Sequence, residues 1–465
     1  MVKAEIRRWH SADFITEMQI ASTCCIDESA RVYSESDLEK VRRRQILAQK
    51  ASVAREIYSS RSLFDPRDLT AMMISSSDKN KQPSWGQRFN NMLLFTQHYF
   101  VFLQLGVVTA LVWANADWDS YSSWCLSSNF HFIVNDVFMA LFFGIAVVHV
   151  TTALLPGGSL FPINKAITPL LGTLGGVLGP ALLFLSLVAL EGSFATQSQG
   201  WAICIATDIS VAWLIATQVF GNGNHPAVQF LLLLAVVDDI IGLIVIAVAF
   251  PSADLHLIWL LLLLASFAVS LLLRFVLNKT SWWLYVLIAG PLAWYSLFRA
   301  GVHPSLALCC VVPFIPRDNL EKFDHQCSLF VHIGLFFFAL SNAGVAFNGI
   351  GLLTLNVALS LVLGKTLGIF SFTFFGIKLS GLKLPARMSL RDLALLAHVS
   401  GVGLTVSLFV AELAFEDRKL QDDAKLGALM SVLVAPSAIL IGRLFNAPRT
   451  SIVDKEPVAN LLPHV

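Results

Sequence analysis

Four ionisable residues sit inside stretches that are otherwise apolar enough to lie in lipid. Asp208 falls in GWAICIATDISVAWLIA, the adjacent Asp238 and Asp239 in FLLLLAVVDDIIGLIVIAVAF, and Lys365 in LSLVLGKTLGIFSF. A charge at a bilayer centre costs roughly 2.5–3.5 kcal/mol on insertion scales, so the four together cost on the order of 10 kcal/mol. That is comparable to the whole stability of a typical domain. A buried ion-pair network that only ties helices together is the plainer reading, and it fails on arithmetic: three carboxylates face one ammonium. Two carboxylates are left to share protons or to bind a cation. A site that takes either protons or a small hard cation on oxygen ligands does the chemistry of exchange.

Depth supports this. Asp238 lies eleven residues beyond Ala227, which at ~1.5 Å per residue is about 16 Å into a ~30 Å hydrocarbon core. Lys365 is equally central in its stretch, and an aspartate side chain is too short to reach the interface from there. Neighbouring residues on a helix point about 100° apart. Asp238 and Asp239 therefore serve different partners, one facing an ion cavity and the other pairing with Lys365.

The elements that must position these residues are transmembrane helices. Of 465 residues, 56% are hydrophobic and only 14% charged, with a mean hydropathy of +0.69; a soluble domain carries about 25% charged residues. The formal net charge of +1 excludes a large single-sign field, so nucleic acid is not an expected partner. Seven cysteines without C-x-x-C spacing give neither a zinc site nor a disulfide framework.

Composition breaks near residue 90. Residues 1–90 hold 15 Lys/Arg and 12 Asp/Glu, leaving 17 and 19 for the remaining 375 positions. This predicts a polar cytosolic leader (1–90), partly disordered with a helix over Ser36–Tyr58, a membrane domain (91–446) and a cytosolic tail (447–465). Twelve hydrophobic spans are expected, beginning near Tyr99, Phe130, Ala166, Gly200, Ala227, Leu255, Trp282, His303, Ser328, Leu352, Leu393 and Ala424. An even number puts both termini on one side. Loops and tail on that side hold twelve basic residues, from Lys165 to Lys455, against four on the other: Arg299, Arg418, Lys419 and Lys425. By the positive-inside rule both termini are cytosolic. A plasma or bacterial inner membrane is the default location, with an organelle membrane as the alternative.

Two spans are interrupted. Thr207-Asp208-Ile209-Ser210 breaks one, and Ser400-Gly401-Val402-Gly403, followed by Thr405 and Ser407, breaks another. Paired interruptions in corresponding positions of two halves point to an inverted-repeat transporter built on discontinuous helices. Glycines that merely let helices approach closely are the plainer explanation.

These residues resemble the NhaA-type sodium/proton antiporter family. Ala206-Thr207-Asp208-Ile209 and Asp238-Asp239 match its ion-site motifs. Gly364-Lys365-Thr366-Leu367-Gly368 is similar to its lysine motif, and Gly301-Val302-His303, Asn342-Ala343-Gly344-Val345 and Gly401-Val402-Gly403-Leu404-Thr405 follow in the family's order. The resemblance implies an all-α polytopic fold of about twelve helices in which two broken helices cross near the midplane, commonly as a homodimer. It implies that Asp208 and Asp239 are the main carboxylates for sodium or lithium and for protons. Asp238 would pair with Lys365 in one protonation state, and Thr207 would lend oxygen beside Asp208. Two protons per sodium, without any cofactor, is the exchange it suggests.

There are departures. Where the family carries a charged E-V-K-R-E run, this chain reads His149-Val150-Thr151-Thr152-Ala153. His149 is the candidate replacement for pH sensing, since histidine is the side-chain type whose unperturbed charge change falls in the physiological range; a packed or cytosol-facing histidine is the plainer reading. Histidines 303, 332 and 398 are read mainly as helix-packing residues, and Glu191 and Glu412 as water-accessible at outer span ends. No G-x-x-x-x-G-K-[ST] signature supports ATP-driven transport. The expected function is sodium/proton antiport, not enzymatic catalysis. A channel, or a transporter of another solute on the same scaffold, is the alternative.

Overall fold

Long runs of Leu, Val, Ile and Phe fold as helices because a backbone in an apolar medium must satisfy its own hydrogen bonds. The computed structural model describes residues 96, 100–155, 163–221, 225–251, 256–277, 281–347, 349–385 and 388–444, and among these there is no strand. The expected leader (1–90), its Ser36–Tyr58 helix and the 447–465 tail lie outside the described residues.

The helices are α1 (Val101–Ala116), α2 (Trp118–Cys125), α3 (Ser128–Leu154), α4 (Ile163–Leu190), α5 (Phe194–Cys204), α6 (Ile209–Phe220), α7 (Pro226–Ala249), α8 (Leu260–Val276), α9 (282–300), α10 (Pro304–Phe314), α11 (Arg317–Asn342), α12 (Leu352–Leu379), α13 (Leu390–Val399), α14 (Thr405–Ala414) and α15 (Arg418–Leu444). Among the described residues, six are long and apolar enough to cross a membrane: α3, α4, α7, α11, α12 and α15. Helices α5 and α6 make a seventh when counted as one span bent by 56°. By length alone α1, α8, α10 and α14 fall short; an eleven-residue helix such as α10 is only about 16 Å long. Helix α11 begins at Arg317 rather than near Ser328, because the helix continues past its apolar part through RDNLEKFDHQC. Hydropathy marks the lipid-facing segment, not the helix.

The breaks obey local rules. Asp208 has extended backbone and caps α6, and Gly221, at φ 80°, ends it in the left-handed conformation. Pro226 starts α7 at a position where its missing N–H costs nothing.

The scaffold behind the buried charges is set by small residues. Gly172, Gly175, Gly176 and Gly179 form one face of α4, against Gly364 and Gly368 on α12. A Cβ on Gly175 would lie 2.2 Å from Gly368 O, and one on Gly364 would lie 2.6 Å from Pro180 Cα. The two backbones are in contact, as small residues allow where lipid supplies no hydrophobic drive. Just before Lys365 the helix widens into a π-type turn over Ser360–Gly364, a distortion common at functional sites.

Gly368→Val is expected to destabilise the protein by at least about 1–3 kcal/mol, the usual cost of overpacking, because its Cβ would meet Gly175 O at 2.1 Å and backbone cannot yield. Thermal unfolding followed by size exclusion in detergent checks this; an unchanged midpoint would contradict the close packing.

Candidate functional site

The two broken helices meet break to break. Residues 205–208 interrupt α5 and α6, and residues 400–404 interrupt α13 and α14. The Asp208 N–H donates to Val402 O at 2.8 Å. Each break leaves orphan carbonyls behind it and orphan amides ahead of it, and side chains from neighbouring helices satisfy them. Ser407 donates to Ile203 O at 2.8 Å. The Lys365 ammonium donates to Ile205 O at 2.6 Å.

Asp208 serves the amides of both helices. Its Oδ1 accepts from the Val211 N–H at 3.1 Å, capping α6. Its Oδ2 accepts from the N–H and hydroxyl of Thr405, at 3.2 and 3.0 Å, at the start of α14. The residue before α14, Leu404, makes no side-chain cap of its own, so Asp208 caps a helix from the opposite half of the chain. Each helix N-terminus carries about half a positive charge, and two of them offset one carboxylate. The charge count therefore changes: beside Lys365, two carboxylates remain rather than three.

Those two differ. Lys365 has no exposed surface, and its Nζ lies 3.5 Å from Asp238 Oδ2. Thr207 sits between them, accepting from Lys365 at 2.6 Å and donating to Asp238 Oδ2 at 2.7 Å. The resemblance implies a backbone or hydroxyl oxygen of Thr207 beside Asp208; here the hydroxyl bridges Asp238 and Lys365. The other oxygen of Asp238, Oδ1, is buried and accepts no hydrogen bond from the described residues. Asp239 makes no hydrogen bond or ion pair with the described residues. Both aspartates line a pocket with Phe142, Phe143, Ala206 and Val406, and Asp208 is not among its lining residues. One oxygen-rich wall in an apolar pocket, with one carboxylate charge uncompensated, suits a single monovalent cation or a proton.

His149 lies toward the C-terminal end of α3, and Asp324 is a buried carboxylate of α11.

A polar cluster at the other end of α3 was not legible in the sequence. Glu412, expected to be open to water, pairs with the ammonium of Lys425, which is 1% exposed. Lys425, a loop charge by its position in the sequence, lies within α15. His131 Nε2 is 3.2 Å from Glu412 Oε1, Asn342 donates to Asn135 Oδ1 at 2.9 Å, and His303 Nδ1 lies 3.8 Å from Asp136. Asn135 and Asp136 occupy a π-type stretch, Ile133–Phe138. These residues are scattered over the chain, and nothing in their spacing announces the cluster.

A multi-pass helical membrane protein whose buried charges converge on two abutting helix breaks is, by class, an ion-coupled transporter. A family model described as Na+/H+ antiporter 1 matches residues 93–442, and the chain belongs to that family. The Na(+)/H(+) antiporter NhaA of Geobacter sulfurreducens is 46% identical over 376 residues, covering 76% of this chain and 97% of that protein. Na(+)/H(+) antiporter NhaA 1 of Pelobacter propionicus is 45% identical over 386 residues, covering 78% and 99%. The Desulfitobacterium hafniense NhaA is 44% identical over 375 residues, covering 76% and 95%.

Thr207→Val keeps the shape but removes one donor to Asp238 and one acceptor for Lys365. It is expected to cost about 1–3 kcal/mol of stability, as stranding buried polar groups does, with Thr207→Ser recovering most of it. Thermal unfolding of the three proteins in detergent is the check, and equal midpoints would remove the bridge.

Proposed function

We propose that this protein is a secondary active antiporter that exchanges cytosolic sodium or lithium for external protons by alternating access at the Asp238–Asp239 wall. The observation that carries the reading is Asp239: a carboxylate midway along α7, without a partner among the described residues, in a pocket beside the free oxygen of Asp238.

In this reading, Asp239 holds a proton in the resting geometry while Asp238 stays with Thr207 and Lys365. A sodium ion entering the pocket takes Asp239 and Asp238 Oδ1 as ligands and displaces the Asp239 proton. As Asp238 turns toward the cation it loosens from Lys365. A buried ammonium without its counter-ion is costly, so in this reading Lys365 gives up its proton as the pair opens, and that proton is the second one exchanged. Two protons then exchange for one cation and one net charge moves, which couples transport to the membrane potential.

Asp208, expected as an ion ligand alongside Asp239, enters as the fixed negative charge that holds the two breaks together. Motion of one broken helix therefore carries the other with it. His149 is the proposed seat of pH response, in place of the family's charged run.

We further infer twelve crossings, both termini in the cytosol, a homodimer in a plasma or inner membrane, and no cofactor. The positive-inside count supports the orientation, and the motif resemblance implies the helix number and the dimer.

Sealed proteoliposomes carrying a pH dye and an imposed pH gradient provide the test. Sodium or lithium is expected to dissipate the gradient with the wild type and not with Asp239→Asn. No response to sodium, lithium or potassium between pH 6 and 9, from folded protein, would overturn the antiporter reading.

A further inference from the structure

The break between α13 and α14 is held from outside by α15. The N–H of Gly403 donates to Ser431 Oγ at 3.1 Å. The Ser431 hydroxyl has no exposed surface and donates to Ala428 O at 2.6 Å, with Gly403 O a further 3.3 Å contact. Around Ser431 the helix tightens into a 3-10 turn, Ser431–Leu433, three residues before Pro436, which offers no N–H to Val432 O. The distortion of α15 thus lies level with the break that it supports.

The Gly403 N–H and the Val402 carbonyl belong to one planar peptide unit and point in opposite directions. On one side that unit donates to Ser431; on the other it accepts the Asp208 N–H at 2.8 Å. The Asp208 N–H in turn belongs to the peptide unit that follows Thr207, whose hydroxyl bridges Asp238 and Lys365. Side chains cannot replace this arrangement by filling in around Gly403, since a Cβ there would lie 2.5 Å from Ser407 Oγ and 3.0 Å from Ala206 O.

We propose that Ser431 is a positioning residue for the ion site: by fixing the Val402–Gly403 peptide plane, which accepts the Asp208 N–H, it sets where the preceding residue, Thr207, presents its hydroxyl to Asp238 and Lys365. This rests on the antiport reading above. Ser431 touches neither aspartate and acts only through two peptide units. Without its oxygen the Gly403 N–H has no acceptor in an apolar interior, and the peptide is driven to rotate toward one. Rotation withdraws Val402 O from Asp208.

The experiment measures sodium-driven exchange in proteoliposomes for the full-length wild type, Ser431→Ala, Ser431→Cys and the control Ser270→Ala, which removes another buried hydroxyl, in α8. Asp239→Asn runs beside them, and melting midpoints are recorded for all. Both Ser431 variants are expected to raise the apparent KM for sodium about five- to tenfold, the worth of roughly one hydrogen bond. Their maximal rate should change less than twofold, the pH profile of exchange should be displaced, and Ser270→Ala should match the wild type. A KM and pH profile equal to wild type in either folded variant would overturn the assignment. Loss of folded protein from both variants would overturn it as well, by making Ser431 purely structural. If the wild type itself shows no sodium-driven exchange, the antiport reading fails first and takes this inference with it; that outcome is read from the wild type alone.

Discussion

Breaking a helix inside lipid strands amides and carbonyls that no water can satisfy, and the centre of this protein is organised around that constraint. Each unsatisfied group costs several kcal/mol in hydrocarbon. Two breaks brought face to face largely answer each other: Asp208 donates its N–H to Val402 O and accepts from the amides of Val211 and Thr405. Lys365, Ser407 and Ser431 satisfy further groups. The polar residues in this region are therefore first of all partners for broken backbone.

The ion chemistry follows from the same constraint. Once two helix N-termini offset Asp208 and Lys365 is committed to Asp238, one carboxylate charge has nothing opposite it. In the proposed reading that charge is met by a mobile cation or a proton, and the competition between the two is the thermodynamic content of antiport. Lys365 contributes to both roles: the same ammonium closes the α5 carbonyl end and faces Asp238, so any change in its pairing is felt at the break.

The breaks are enclosed by close packing. Helices α4 and α12 touch backbone to backbone through glycine, which fixes the height of Lys365. The Glu412–Lys425 pair with His131, and the Asn135–Asn342 contact, tie the end of α3 to α11, α14 and α15. Polar links of this kind hold helices that the hydrophobic effect cannot drive together in lipid.

The sequence by itself determined that this is a membrane protein with costly charges at Asp208, Asp238, Asp239 and Lys365 and interruptions near residues 207 and 401. These features are visible because insertion cost and helix breaking depend on residue type and position along one helix. The family resemblance was legible in the same motifs. Only the tertiary structure decided who partners whom. The Thr207 hydroxyl bridges Asp238 and Lys365, Asp208 caps a helix nearly 200 residues away, and Lys425, which looks like a loop charge, is a buried partner of Glu412. Helix rotation and tilt are set by packing between distant segments, through small residues such as Gly175 and Gly368. A one-residue step turns a side chain by about 100°, so partnership depends on contacts that no local pattern encodes.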